Sequence, residues 1–593
     1  MSLHPQPWPE PSDEVVRVVM AVYAGRRAPM PVAARDELGE LFADVEFAAA
    51  FAACGPEGWS PGRLMLVTVL QAAEGLTDRQ AAEAVRDKLS WKYALGLSLT
   101  DAGFDASILS EFRTRLVTHD LQIRALDLMV ARLVKAGLLK PGGKQRTDST
   151  HVLAAVRLLN QIELVGETVR ACLEALAAAD PGWTGSVLDT SWRRRYADRV
   201  DTWRMPSSKT KRVALGSDFA RDGHALLRAV WHPGSPVWLR ELSAVDVLRR
   251  VLVQNTKVTT DRTGQEVITL RDAEDGLPPG RSRIVSPYDL DVRWGGKRDL
   301  VWCGYKLHIS ESCDAEPPTG PVGGADLVPE APTNLITHVA TTDASVPDTV
   351  MTEPIHQALA EREVLPAEHY LDSGYPSADL LVSSLSDYGV RLVTPMLADT
   401  SPQARAAEGF DRSGFTVNWP ARTVTCPQGK TSACWTPASQ RGTDVIVVKY
   451  AGEDCQPCPV KAKCTTATRG GRQLTLRPQP VQHALDAARA EQATTDWQTR
   501  YARRAGVEST IAQATKATDT RRTRYRGLAK TTLDHNVKAA ALNLIRLDAW
   551  WNGDALDPRR TSHLSRLELA LGLYHKGCFW PDSPDFGSAG WAL

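Results

Sequence analysis

The sequence has no run of about eighteen uninterrupted apolar residues, so no membrane-spanning helix is expected. Net charge is absent too: Lys+Arg and Asp+Glu both number 70, which excludes a chain that coats nucleic acid by bulk charge. The first residues, Met1 to Pro11, are Pro-rich and acidic rather than basic and then apolar. No secretory signal is therefore expected, and the cytoplasm is the expected compartment. Ten cysteines in 593 residues do not suggest a disulfide framework in that compartment. What remains is an ordinary globular composition, 43% hydrophobic and 24% charged. The length exceeds one compact core and predicts two to four domains.

Charge is nevertheless uneven along the chain. Arg193, Arg194, Arg195, Arg199 and Arg204 form one basic cluster, and Arg521, Arg522, Arg524, Arg526 and Lys530 another. Such clusters can neutralise phosphates, although either run taken alone is better read as a solvated helix face.

Residues 13 to 140 read as helical throughout. Between Pro61 and Leu97 apolar residues recur at three-four spacing, broken at Gly75-Leu76-Thr77-Asp78, where Thr77 or Asp78 would cap the second helix. Helix, short Gly-containing turn and helix is the outline of a helix-turn-helix, followed by a further helix from Ala106 to Val117. A Thr-rich strand is predicted over Gln145 to Val152, then an amphipathic helix over Leu158 to Ala179 with helical patterning to Gln254. Residues 255–296 read as turn-rich. Alternation from Leu300 to Ile309 marks a strand, and a Pro/Gly-rich loop spans 316–324. Leu335 to Thr341, His369 to Asp372 and Val390 to Thr394 are strands; Thr349 to Arg362 and Ser377 to Tyr388 are helices. The predicted order from 145 is strand, insertion, strand, strand, helix, strand, helix, strand. That is an α/β fold in the order of a ribonuclease-H-like mixed sheet.

The expected division is a helical, helix-turn-helix-like region at 1–140, whose outline alone is weak evidence of DNA binding, and an α/β core at 141–156 plus 297–396 that resumes at 480–553. A mainly helical insertion occupies 157–296 and a cysteine-rich, zinc-ribbon-like β insertion 397–479. A tail of 554–593 ends in Pro581 to Leu593, which read as disordered.

Acids at strand middles or ends, pointing off the apolar core, are where a chain can hold the paired divalent cations of phosphoryl transfer. Asp148 fits, within the first strand. Asp372 fits better, because Leu371-Asp372-Ser373-Gly374-Tyr375 puts it where a strand gives way to a tight turn. Glu508 is the third candidate. Spacings of three and four place Tyr501, Arg504 and Glu508 on one helix face, where a tyrosine and an arginine can position a phosphate beside the metals. Each feature alone is ordinary among 70 acids; together and in strand order they carry weight. Asp289 and Asp343 are the rival acids, ranked lower.

With these residues in place the sequence resembles bacterial insertion-sequence transposases of the DDE superfamily, over most of its length. Asp148 in TDST matches the first family acid, Asp372 in YLDSGY the second, and Tyr501, Arg504 and Glu508 the Y-x2-R-x3-E signature. Arg526 to Lys530 with Val537 to Leu547 resemble the closing segment, and Asp105 to Arg113 the upstream DNA-binding domain. One departure stands out: where some relatives carry a lysine seven positions after the glutamate, residue 515 is Thr and the nearest lysine is Lys516. The resemblance implies a ribonuclease-H-like core and two Mg²⁺ ions (Mn²⁺ substituting) on Asp148, Asp372 and Glu508. It implies double-stranded DNA as partner, both the element's terminal inverted repeats and the target, with a homodimer on DNA and neither membrane nor small-molecule substrate. Water would cleave a strand at the element's end, and the freed 3′-OH would attack target DNA, with no covalent protein–DNA link. A domesticated, inactive relative that binds DNA and a ribonuclease-H-like nuclease without strand transfer are the alternatives.

Five of the cysteines lie between Cys426 and Cys464. Four thiolates can hold Zn²⁺ tetrahedrally, and Cys455-Gln-Pro-Cys458 is half of such a site. The best set is Cys426, Cys455, Cys458 and Cys464, with Cys434 spare; reduced thiols in a small β unit are the alternative. Lys461, Lys463, Arg469 and Arg472 could face DNA there. The arginine cluster of the long insertion and Lys209-Thr-Lys-Arg212 suit a DNA clamp, a dimer surface or plain packing.

Overall fold

The computed structural model describes residues 2–200, 205–272, 274–297, 299–314, 332 and 334–553. Arg204, the 316–324 loop and the 554–593 tail, with Pro581 to Leu593, lie outside them. No described helix is long and apolar enough to cross a membrane.

The helical start is set by local capping. In α1 (Pro61–Glu74) proline occupies the first turn and Ser60 caps it by accepting from the Arg63 N–H. Gly75, at φ +67°, ends it. Thr77 rather than Asp78 caps α2 (Asp78–Asp87), through a reciprocal box with Gln80. Asp78 turns instead to Arg113 on α3 (Ser107–Thr118), 2.5 Å away, locking the helices together.

The chain then enters a six-stranded sheet. Its strands are β1 (Lys144–Leu153), β2 (Arg293–Lys297), β3 (Leu300–Ser312), β4 (Ile336–Asp343), β5 (Glu368–Leu371) and β6 (Arg391–Val393). β3 runs antiparallel to β1, β2 and β4, whereas β5 pairs parallel to β1 and to β6. The path is therefore β2-β3-β1-β5-β6, with β4 also on β3. The structure is mixed α/β, and from 145 onward the strands and helices follow the expected order with one addition, β2, which lies almost wholly in the stretch read as turn-rich. Both faces of β3 are covered: Tyr305, Leu307 and Ile309 are buried, and so is His308 between them. Gly304 lets β3 pass β1, since a Cβ there would lie 2.0 Å from the Val152 carbonyl oxygen.

Between β1 and β2 stand α4 (Gln161–Ala179), α5 (Lys209–Val230) and α6 (Ser243–Asn255), packed around an apolar core of their own. A hairpin follows, Thr256–Thr260 against Glu266–Leu270, in the stretch expected to be turn-rich. Ile268 is its one buried apolar side chain, beside the buried Thr256, so the segment shows no apolar alternation to read.

After β6 a three-stranded antiparallel sheet, Cys434–Gln440, Thr443–Lys449 and Gln473–Leu476, surrounds a small third core. The last helix, α7 (Leu528–Trp551), lies against α1, α3 and β4, so the N-terminal helices and the large sheet share one continuous core. Asn543 clasps the sheet, its amide bonding both the N–H and the carbonyl of Ile336 at 2.8 and 2.9 Å.

Candidate active site

Alternation along β1 decides what the site is made of. Gln145 and Thr147 face inward, to Thr337 at 2.7 Å and His369 at 2.7 Å. Arg146, Asp148 and Thr150 face the other way, toward the C-terminal helices: Arg146 to the Arg503 carbonyl, Asp148 to Arg504 and Thr150 to Arg521. Asp372 follows the last residue of β5, directly beside β1, and its Oδ1 accepts the Ser373 N–H in the turn.

Tyr501, Arg504 and Glu508 do not sit on one uninterrupted α-helix. Tyr501 ends the helix Thr495–Tyr501, Arg504 lies in a 3₁₀ turn (Ala502–Ala505), and Glu508 is in the first turn of the helix Gly506–Thr518. The tighter turn has a cause. Arg146 donates to the Arg503 carbonyl at 2.7 Å, and a Cβ at Gly506 would lie 2.0 Å from its guanidinium.

The three acids meet at Arg504. Its Nη2 stands 2.6 Å from Asp148 and 3.8 Å from Asp372, and its Nη1 2.8 Å from Glu508. Their carboxylates are 7%, 31% and 65% exposed, so the cluster opens to solvent on the Glu508 side. Burial pushes the Asp148 carboxyl above its usual range, against the pull of Arg504, Lys297 and the Ser149 N–H. Burial opposes the charge of Arg504, yet Asp148, Asp372, Tyr501 and Glu508 raise its pKa. The Tyr501 phenol is pushed up to about 12, chiefly by burial; it donates to the Leu371 carbonyl at 3.2 Å and stacks on Trp497. Among the described residues no three His, Cys, Asp or Glu side chains stand at metal-ligating geometry.

The rival acids have structural tasks. Asp289 is buried, accepts the Tyr305 hydroxyl at 2.7 Å and the Gly527 N–H at 3.0 Å. Asp343 caps the turn at Ser345. A residue that sequence reasoning missed is Glu311, fully buried at the end of β3. It accepts from Arg146 at 2.7 Å, Arg546 at 2.9 Å and Thr510 at 2.5 Å, tying the Glu508 helix to the sheet. Asp348 was also missed; it neutralises Lys306 at 2.8 Å and accepts from Ser149.

The basic clusters divide. Arg195 pairs with Asp222, and Arg199 and Arg526 lie over the same Tyr288 ring, so these cations serve packing. Arg193 and Arg194 are exposed.

A cavity of about 680 Å³ lies away from the acids between Phe415 and Arg489. Cys426, Cys455, Cys458 and Cys464 line a separate cavity of about 30 Å³ with Phe415 and Tyr450. The Cys434 thiol is not among its walls and pairs with the Thr436 hydroxyl at 3.0 Å. Burial raises the Cys464 thiol, against Arg472, which lies over the Phe415 ring rather than facing outward.

Two family models match the chain: the Transposase DDE domain over residues 425–548 and the Transposase domain (DUF772) over residues 29–115. The first spans the four cysteines together with Tyr501, Arg504 and Glu508; Asp148 and Asp372 lie outside both ranges. No curated protein and no solved structure matches.

Proposed function

We propose that this chain, an insertion-sequence DDE transposase by its two family matches, hydrolyses DNA at its element's ends and joins the freed 3′-OH to target DNA. The convergence of Asp148, Asp372 and Glu508 on one guanidinium carries the reading. An antiparallel β1-β3-β4 meander with β5 and β6 parallel to β1 supports a ribonuclease-H-like core. Two Mg²⁺ ions on the three acids would supply Lewis acids for the attacking and the leaving oxygen.

The chain's own groups do the positioning. Arg504 touches all three acids, and its guanidinium would be freed to take the scissile phosphate when those carboxylates turn to metal ions. Tyr501 keeps its proton at neutral pH, so it orients and does not attack. Glu311 and Arg146 hold Arg504 in register with β1 through the Arg503 carbonyl. The helices within 29–115 recognise the element's ends, and two copies hold two ends together. The four converging thiols suit one structural Zn²⁺ with no open position.

The test is strand transfer of a pre-cleaved element end by the full chain, with Asp372→Ala as control. Joined product that vanishes in the variant, with DNA binding kept, supports the proposal. Hydrolysis without joining would mark a nuclease, and binding without either reaction an inactive relative.

A further inference from the structure

An open cleft of about 440 Å³ adjoins the acids, within the roughly 300–1,000 Å³ range of small-ligand sites. Its floor is Ser149 and Thr150 of β1 with the Asp372–Gly374 turn, and one wall is the β2–β3 hairpin with Lys297 and Trp302. Three cations reach it. Lys306 is already consumed, by Asp348 at 2.8 Å and the Val346 carbonyl at 2.7 Å. Lys297 is exposed and its ammonium makes no ion pair or hydrogen bond among the described residues, yet its field reaches Asp148, His151 and His308.

Arg521 is held in place rather than merely nearby. Its Nε donates to the Thr150 hydroxyl at 2.9 Å, and its carbonyl accepts the Leu153 N–H at 2.8 Å. The Thr523 N–H returns to the Leu153 carbonyl at 3.1 Å, stitching the 521–523 loop to the end of β1. The two Nη groups of Arg521 keep no described partner. His151 also lines the cleft and tilts over Trp302; burial, then Arg521 and Lys297, lower its pKa, so it offers a neutral imidazole. Thr150 lies two residues from Asp148 on the same face of β1, about 7 Å at roughly 3.4 Å per residue. That equals about two nucleotide rises of 3.4 Å along one strand.

We infer that Lys297 and Arg521 clamp a DNA backbone phosphate one or two nucleotides from the scissile phosphate, with the His151 ring beside them as an N–H donor. The clamp rests on the transposase reading and adds a subsite to it. A phosphate fits because Lys306 and Asp348 cancel, Lys297 and Arg521 outnumber the one other acid of the lining, Asp372, and the Arg521 fork is pinned at its base. Position relative to the cut, rather than base identity, is what such a contact reads.

The test uses the full chain and duplexes carrying the element's end, in Ca²⁺ to hold back cleavage. Single phosphates near the cut are replaced by neutral methylphosphonates, and affinity is read by fluorescence anisotropy. One substitution within two nucleotides of the scissile phosphate is expected to cost about tenfold. Lys297→Ala/Arg521→Ala is expected to cost a similar factor on unmodified DNA and nothing further on the modified duplex. Its slope of log affinity against log salt should fall by about 0.9, one phosphate contact. Lys297→Arg/Arg521→Lys, with charge kept, should recover most of the affinity. Additive losses, an unchanged slope, or an equal loss at every phosphate would overturn the clamp. Asp372→Ala separates the two claims: a methylphosphonate signature that persists there, while the wild type fails to join ends, would remove the enzyme reading and leave the clamp.

Discussion

Two clusters of metal-seeking side chains lie in this chain, and they are built in opposite ways. The carboxylates of Asp148, Asp372 and Glu508 come from a central strand, a strand end and a distant helix, and meet around the protein's own Arg504. The thiols of Cys426, Cys455, Cys458 and Cys464 come from one short stretch and meet against Phe415 and Tyr450. The first cluster sets three carboxylates around one guanidinium and opens to solvent on the Glu508 side. The second is a cavity of about 30 Å³ that Lys430, Asp454 and Arg472 also line. The contrast teaches that side-chain type alone does not separate a reactive site from a structural one; surrounding charge and access do.

The largest effect that would sharpen this contrast is chemical. Asp372→Ala should lower strand transfer roughly 10³-fold or more while DNA affinity stays within a factor of a few, because it removes cation binding and leaves the fold. Next comes the support beneath the acids. Glu311→Ala leaves Arg146 and Arg546 buried without their shared counter-charge, and should cost about 3–5 kcal/mol in chemical denaturation. No comparable buried ion network lies under the cysteine cavity among the described residues.

Acid should strike the two regions unequally. His308 and His356 are held down to about 4 and His535 to about 3 by burial, and His338 and His369 lie well below 6.5. Residues 397–479 contain no histidine. A native pKa below the unfolded value means the unfolded chain binds the extra protons. Stability is therefore complete above pH 6.5 and is lost as pH falls from 6.5 toward 4. Each buried imidazole should cost on the order of 1.4 kcal/mol per pH unit in that window, read as the urea midpoint at stepped pH. Smaller still, Cys434→Ser should retain one bound zinc per chain by elemental analysis, whereas Cys455→Ser should lose it. An equal loss in both would break the assignment of four thiols to one cavity. Smallest of all, Tyr501→Phe removes one hydrogen bond to the Leu371 carbonyl and should cost about 0.5–1.5 kcal/mol of stability while strand transfer persists.

Much of this was legible in the sequence for local reasons. Asp372 stands out because a Gly-containing turn ends its strand, and β3 through β6 show apolar alternation or short apolar runs, whereas Arg293-Trp-Gly-Gly-Lys297 of β2 shows neither. The Tyr501–Glu508 spacing pointed to one face, but the 3₁₀ turn at Arg504 arises from Arg146, more than 350 positions away in the chain. Glu311 was invisible for the same reason: a lone glutamate closing an alternating strand reads as solvated, and its partners are Arg146, Thr510 and Arg546. The run from Arg521 to Lys530 was legible as charge but not as direction. Only the fold turns Arg521 to the cleft, Arg524 to Tyr525 and Arg526 to Tyr288.

The central claim is that three carboxylates, converging from distant segments, form one divalent-cation site. Mn²⁺ binding to the full chain with a pre-cleaved element end, counted by electron paramagnetic resonance, tests it most directly. Two bound ions in the wild type, lost alike in Asp148→Ala, Asp372→Ala and Glu508→Ala, is the predicted result. Two ions that persist in Glu508→Ala would contradict it, because the glutamate would then stand outside the site.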